Sequence, residues 1–470
     1  MRILLINPPI FNMLPSMLPE SIDRGRGYNP PLGLLYLASY LQKYTDYEIK
    51  ILDCQVEELN YKQIKKNIEE NNPNVIGLTT MTFTLIDVLN IAKIAKKINP
   101  EIKIILGGPH VDIYPEETIN QPYVDYLVLG EGEIPLKNLL DNINFTDNLH
   151  QIKSVVFKDK KEIINNGRDE FNKDLDSLPF PARQLTPYHK YSSVLSNVKP
   201  ITTMFTSRGC PYNCLFCDRP HLGKFFRARS PKNVVDEMEE CQKIGIQEIL
   251  IYDDTFTVNR QRVIDICKEI KIRNLNINWD VRARVDTVDR ELLKTMKVSG
   301  CQRIHYGVEA GTQKILNILR KGITLEQVEK AFKLSQEVGL ETLAYFMIGS
   351  PTETKEDILE TIKFAKKINP DFTHITITTP FPATDLYRMG LEQKIWPSDC
   401  WQKFAEHPHA DFIPPVWEKT LSKEELILLN RKAYRAFYFR PKYLLKRLFR
   451  LTSFEELKTK SKAAFQLLKI

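Results

Sequence analysis

The chain has no apolar run near the ~20 residues a membrane span needs. Its opening apolar run, residues 3–6, ends at Asn7-Pro8-Pro9, too short for a signal peptide, so the expected location is cytoplasmic. Glycine is scarce at 19 of 470 residues and no tract is of low complexity, which excludes collagen-like and disordered classes. Eight cysteines make a poor disulfide framework. Three of them crowd into residues 210–217, which in a reducing compartment points to metal or redox chemistry; Cys54, Cys241, Cys267, Cys301 and Cys400 read as small core residues. No GxGxxG follows the first apolar run, which argues against a dinucleotide site of Rossmann type.

What is present is 43% hydrophobic and 27% charged, enough for two or three globular units. The net charge of +7 is uneven: residues 431–470 carry +10 and the preceding residues −3. So little basic surface before the tail leaves no nucleic-acid partner expected, and RNA modification ranks low.

Alternating apolar runs and amphipathic stretches predict a doubly wound, Rossmann-like α/β domain over residues 1–142, with strands at 2–8, 47–53, 75–78, 102–106 and 124–129. Ligands in such sheets sit at the carboxyl ends of the strands, which makes loops 7–10, 53–56, 79–82, 107–110 and 130–133 informative. Gly107-Gly108-Pro109-His110 and Gly130-Glu131-Gly132-Glu133 either let backbone approach a flat ligand or are plain tight turns. Residues 143–195 form a connector with a hairpin across 152–164. Over 196–420, strands at 201–206, 248–252, 278–282, 303–308, 342–347 and 373–378 alternate with helices, predicting a partial (β/α) barrel of TIM type with chemistry at its carboxyl end. Residues 421–470 are a helical, basic C-terminal segment.

The first barrel strand runs into Ser207-Arg208-Gly209-Cys210-Pro211-Tyr212-Asn213-Cys214-Leu215-Phe216-Cys217. Iron-sulfur clusters usually take four protein thiolates; three leave one iron open for a substrate or cofactor. A zinc site would call for the paired Cys or His partners that this stretch lacks. This loop resembles that of the radical S-adenosylmethionine (SAM) enzymes, including the aromatic Phe216. The resemblance implies a 4Fe-4S cluster on Cys210, Cys214 and Cys217, whose open iron holds SAM and whose electron splits it to a 5′-deoxyadenosyl radical. It further implies SAM contacts from Asp253 or Asp254, from Glu309 in Gly307-Val308-Glu309-Ala310-Gly311, and from Gly349. Arg282 and Arg284 share a strand face, so either could meet the methionyl carboxylate.

Asn7-Pro8-Pro9, Pro30-Pro31-Leu32-Gly33 and the two glycine loops, joined to this barrel, resemble the cobalamin-binding subgroup. That implies cobalamin contacts from Asn7, Pro8, Thr80, Gly107, Gly108, His110, Gly130 and Glu131. The Asp-x-His-x-x-Gly loop that replaces the nucleotide base in other cobalamin domains is missing, so no axial protein histidine is expected, and His110 reads better as packing or a corrin-side contact. The leading function is methylation of an unactivated carbon of a small-molecule, lipid or tetrapyrrole-like substrate. Radical cyclisation or rearrangement, or a non-enzymatic corrinoid or cluster carrier, are the alternatives. An electron donor such as flavodoxin or ferredoxin is the implied partner. In the tail, a helix from Lys442 would gather Leu445, Leu448 and Phe449 on one side, either lying on an anionic membrane or covering the barrel.

Overall fold

The computed structural model describes residues 1–15, 27–218 and 223–448, with side chains as far as residue 445 in the last helix. The first sheet contains β1 (Arg2–Asn7), β2 (Glu48–Asp53), β3 (Val75–Thr79), β4 (Lys103–Gly107), β5 (Tyr126–Val128), β6 (Val155–Asp159) and β7 (Glu162–Asn165). Their order is β2-β1-β3-β4-β5-β6-β7, parallel as far as β5. Ile3 to Ile6 are buried on both faces, which is why β1 reads as an unbroken apolar run rather than an alternation. The order reverses between β1 and β3, so the ligand crevice opens at their carboxyl ends.

The hairpin expected in the connector is β6 and β7, and it extends this sheet, β6 pairing antiparallel with β5 and β7 antiparallel with β6. A boundary at residue 142 would therefore cut through one sheet, whose core includes Val155, Val156 and Phe157. From there the chain crosses to the barrel in short 3-10 turns. Along the way Arg183 is buried against Glu237 of the helix Pro231–Lys243, at 2.5 Å, and Arg229 pairs with the other oxygen of the same carboxylate.

The second sheet runs in chain order: β8 (Ile201–Met204), β9 (Glu248–Ile251), β10 (Asn278–Ala283), β11 (Cys301–Glu309), β12 (Glu341–Ile348) and β13 (Phe372–Ile377). All five pairings are parallel, and β13 does not pair with β8, so the barrel is partial and open. Outward residues such as Ile249, Val281, Ile304 and Ala344 join one core with the surrounding helices. Several of these helices begin with capping boxes: Thr324 with Gln327, Thr354 with Asp357, Ser422 with Glu425.

The free edge of β13 is covered by the helix Lys423–Tyr438. Ile375 N–H donates to the Tyr434 hydroxyl (3.1 Å), Thr373 N–H to the Tyr438 hydroxyl (3.0 Å), and Asn430 Nδ2 to the Ile375 carbonyl (2.9 Å). Side chains thus replace the missing strand. The tail's aromatics Phe437 and Tyr443 join the barrel core, while Leu444 and Leu445 in the helix Pro441–Leu448 are exposed. The Leu448 side chain and Phe449, invoked for a membrane-facing side, lie outside the described residues. Among the described residues no helix is long and apolar enough to cross a membrane.

Candidate active site

The chain leaving β8 for the cysteine loop is held by one carboxylate. Asp253, fully buried at 0% exposure, accepts from Thr206 N (2.6 Å), Thr206 Oγ1 (2.5 Å), Ser207 N (3.0 Å) and Ser207 Oγ (2.6 Å). Four donors fill a carboxylate's ordinary capacity, so Asp253 clamps the start of the loop and has no lone pair to offer SAM. Its exposed neighbour Asp254 acts electrostatically on Cys210 and so lies near the cysteine loop. Further on, Leu215 N–H donates to the Leu319 carbonyl and the Leu215 carbonyl accepts from Leu386 N–H, each at 2.9 Å, which pins the loop between two other segments.

Cys210 and Cys214 are half-buried and Cys217 is exposed. Burial pushes the Cys210 thiol up, against hydrogen bonds from the Tyr212 backbone and the Thr255 side chain. Among the described residues no three His, Cys, Asp or Glu side chains converge on a point suited to one metal ion. A cube of iron and sulfur takes one thiolate per iron at separate corners, so it asks for no such convergence.

Of Arg282 on β10 and Arg284 just past its end, Arg284 is the one beside this loop. Its guanidinium meets Asp286 twice (3.0 and 2.9 Å), donates to the Lys321 carbonyl (2.9 Å) and lies 3.8 Å from the Tyr212 ring centroid. Its remaining terminal nitrogen, Nη1, is buried without a partner, a donor left for an anionic group at the loop. Arg282 lies one level deeper, against the Tyr252 ring at 4.1 Å, and the structure does not bring it to the cysteine loop.

Glu309 ends β11 in left-handed backbone at φ 72°, after a register shift against β12, and its Oε1 accepts from Lys321 Nζ at 2.8 Å. Strain of this kind in a non-glycine residue is held in place only by its surroundings. Gly307 makes the pair possible: a Cβ there would lie 2.5 Å from Glu309 Oε1 and 2.7 Å from Lys321 Nζ. Lys321 also stands 5.9 Å from the ring centroid of Phe216, tying the pair to the cysteine loop. Gly349, expected at adenine, adopts φ 82° and abuts Leu426 of the helix Lys423–Tyr438, where a Cβ would come within 2.9 Å. Its N–H and that of Ser350 both donate to Glu353 Oε2 (2.6 and 2.9 Å); burial pushes this carboxyl up to about 7.

At the crevice of the first sheet the expected residues mostly shape backbone. Asn7 Nδ2 donates to Asp53 (2.7 Å), and Gln55 Nε2 donates to the Pro8 carbonyl (2.9 Å). Thr80 N–H donates to the Gly107 carbonyl (2.7 Å) and its carbonyl accepts from His110 N–H (3.1 Å). Gly108, at φ 113°, lets the β4 loop lie so close that a Cβ would sit 3.0 Å from the Thr80 oxygen. His110 is completely enclosed, with Nδ1 3.1 Å from Thr82 Oγ1, Nε2 unpartnered and its pKa pushed down to about 3 by burial. A neutral imidazole enclosed in this way packs between Thr82 and the Tyr114 ring.

Glu131 is not a free cofactor contact. Together with Glu133 it grips Arg208, two residues before Cys210, at 3.0 and 2.5 Å, and Glu131 also pairs with Arg227 at 2.9 Å. Burial alone would raise the Glu131 carboxyl, but the hydrogen bond and charge of Arg227 with the charge of Arg208 outweigh it and hold it below its usual range. Gly130, at φ 68°, donates its N–H to Asp112 at 2.7 Å and sets the turn of this latch. The loop after β5 is thereby bolted to the cysteine loop.

Four residues escaped the sequence reading. Lys321 and Glu133 carry charge into the site, and Phe11 (57% exposed) and Met81 (43%) offer apolar surface on the loops after β1 and β3. Large exposed apolar side chains at a topological switch point suit a broad apolar ligand face. The signal for Glu133 was present in Gly130-Glu131-Gly132-Glu133; none marked Lys321. The donor set fits the implied groups: three thiols on a pinned loop beside an orphaned guanidinium N–H, and a crevice of close-packed backbone with apolar edges.

The model of the radical SAM superfamily matches residues 204–365 and that of the B12 binding domain residues 22–140. An uncharacterized methyltransferase of Pyrococcus horikoshii is 36% identical over 96% of this chain and 95% of its own length. The anaerobic magnesium-protoporphyrin IX monomethyl ester cyclase of Rubrivivax gelatinosus is 30% identical over 88% of this chain and 75% of its own. Among solved structures, the cobalamin-dependent SAM radical enzyme OxsB, with aqua-cobalamin and SAM bound, superposes at a TM-score of 0.75 with 18% identity, covering 99% of this chain and 72% of that one. The chain belongs to the family of cobalamin-dependent radical SAM methyltransferases, an enzyme whose cofactors are a 4Fe-4S cluster, SAM and cobalamin.

Proposed function

We propose that the protein transfers a methyl group to an unactivated carbon of a small molecule, taken up where the first sheet's crevice meets the barrel mouth. The observation that carries this is the latch from Glu131 and Glu133 to Arg208, which fixes the corrin-side loops against the loop of Cys210, Cys214 and Cys217. When bound, the cluster supplies the electron that splits a sulfonium and the corrinoid supplies a carrier for a methyl group.

The chain's own residues do the rest. Cys210, Cys214 and Cys217 would hold three irons; Arg284 Nη1 and Asp254 would orient the methionyl carboxylate and amino groups. Glu309, positioned by Lys321 and by the missing Cβ of Gly307, would accept from a ribose diol. Asn7, Gly107, Gly108 and Thr80 would hold the crevice floor flat, with Phe11 and Met81 against the corrin's apolar surface.

The test is product analysis after anaerobic reconstitution with a reductant such as flavodoxin: methyl transfer yields S-adenosylhomocysteine and 5′-deoxyadenosine together. A second reading, ring closure, is favoured by the 30% identity to a ring cyclase. It predicts 5′-deoxyadenosine with no S-adenosylhomocysteine.

A further inference from the structure

Arg282 and Arg284 project into the same barrel, yet only one is neutralised. Arg284 has Asp286, and above it Lys321 has Glu309. Below Arg282, the acids of the barrel floor are already engaged. Arg303 lies 3.0 Å from Asp280, 3.7 Å from Glu248 and 3.3 Å from Glu341. Arg282 is left with no carboxylate against it among the described residues, its guanidinium over the Tyr252 ring at 4.1 Å from the centroid. An unpaired, half-buried cation is costly unless something anionic comes to it.

Its neighbours are those of a binding site rather than of a core. Strand register sets Arg282 beside His305, and Gly307, Tyr345 and His374 in a row one level nearer the mouth. Tyr345 Oη is 3.1 Å from His305 Nδ1, and the Tyr345 and His374 rings meet edge to face at 5.7 Å. Arg282, Tyr252, Tyr345 and His374 are each half-buried, so each keeps some accessible surface. Gly307 adds no side chain to that row, and the space a Cβ would take there is held by the Glu309–Lys321 pair.

The same spot touches the first sheet. Asn29 Nδ2 donates to the Tyr252 hydroxyl at 2.9 Å, and Tyr252 packs on the cluster of Val56, Tyr191, Ile201 and Leu250, in which Val56 follows β2. Arg282 thus lies on the barrel wall one level below Gly307 and reaches the N-terminal region through Tyr252.

We infer that Arg282 is the receptor for an anionic group, a carboxylate or a phosphate, on the substrate, with Tyr252 stacked beneath it and His305 and Tyr345 beside it. The planar fork of a guanidinium held over an aromatic ring suits two-point recognition of either anion. This rests on the reading that a small molecule is methylated here and adds its charge.

The test titrates the cluster- and corrinoid-loaded protein, with SAM present, with benzoate and with phenyl phosphate, in wild type, Arg282→Gln and Arg282→Lys. We expect one probe to bind wild type, about tenfold or greater weakening in Arg282→Gln, and partial retention in Arg282→Lys, with SAM affinity unchanged in all three. Which probe binds separates carboxylate from phosphate. Equal probe affinity in wild type and Arg282→Gln, no probe binding to wild type, or a loss of SAM affinity in Arg282→Gln would each overturn the assignment. Cluster and corrinoid uptake with the two SAM products, measured on the same wild-type preparation, reports separately on the functional reading.

Discussion

At the carboxyl end of β1, Asn7 is held by Asp53 and Gln55, and at β4 Gly108 brings backbone against backbone at Thr80. At the barrel mouth the corresponding positions carry Asp253 with four donors, Arg284 with Asp286, and Glu309 with Lys321. The first region shapes a surface with amides held by a buried carboxylate and with missing side chains, as would suit a broad macrocycle. The second places charges, as a zwitterionic sulfonium with a ribose requires. The latch between them is ionic and buried, so the two regions are coupled through Arg208.

The largest effect separating these regions comes from the thiols. Cys214→Ala is expected to reduce iron loading and 5′-deoxyadenosine formation to background while corrinoid uptake persists, checked by iron analysis and ultraviolet-visible titration. Next, Glu131→Gln combined with Glu133→Gln strands Arg208 as a buried, unpaired cation; we expect a loss of about 3 to 5 kcal/mol in denaturant unfolding. Corrinoid uptake should outlast SAM cleavage in that variant.

The comparison sharpens with two glycines. Gly307→Ala pushes a methyl group into the Glu309–Lys321 pair and should raise the SAM dissociation constant roughly thirtyfold, the equivalent of about 2 kcal/mol, leaving corrinoid affinity alone. Gly108→Ala meets both a positive φ and the Thr80 backbone, a strain of order 1–3 kcal/mol, and should weaken corrinoid but not SAM. Equal effects of both changes on both cofactors would erase the distinction.

A separate effect, read on folding rather than on either cofactor, is the change of stability with pH. Glu353 has its pKa raised from an ordinary 4.5 to about 7, chiefly by burial, so between these values the native state holds a proton the unfolded chain has lost. Stability therefore falls as pH rises through that window, by about 3 kcal/mol in all. Glu353→Gln should flatten the slope in urea melts at pH 5, 6, 7 and 8.

Much of the fold was legible because parallel strands buried on both faces leave unbroken apolar runs. The expected 373–378 and 342–347 fall on β13 and β12 within a residue or two. The hairpin of β6 and β7 was legible as a hairpin, but its pairing with β5 is a contact between distant segments that no local pattern announces. At the site, the cysteine spacing was self-sufficient. The roles of Asp253 and Asp254 were not separable, because which one is buried depends on Thr206 and Ser207, some 47 residues upstream. Arg282 and Arg284 share a face and differ only in their neighbours, and Lys321 sits in a turn between Arg320 and Gly322, both at positive φ, with nothing in its flanks to mark it.

The most direct test of the central claim is elemental analysis of the anaerobically reconstituted protein given iron, sulfide and hydroxocobalamin together. The account predicts iron and sulfide near four each and cobalt near one per chain, with the iron lost on replacing any one of Cys210, Cys214 and Cys217 and the cobalt retained. Zinc in place of iron, or cobalt that departs with the iron, would contradict it.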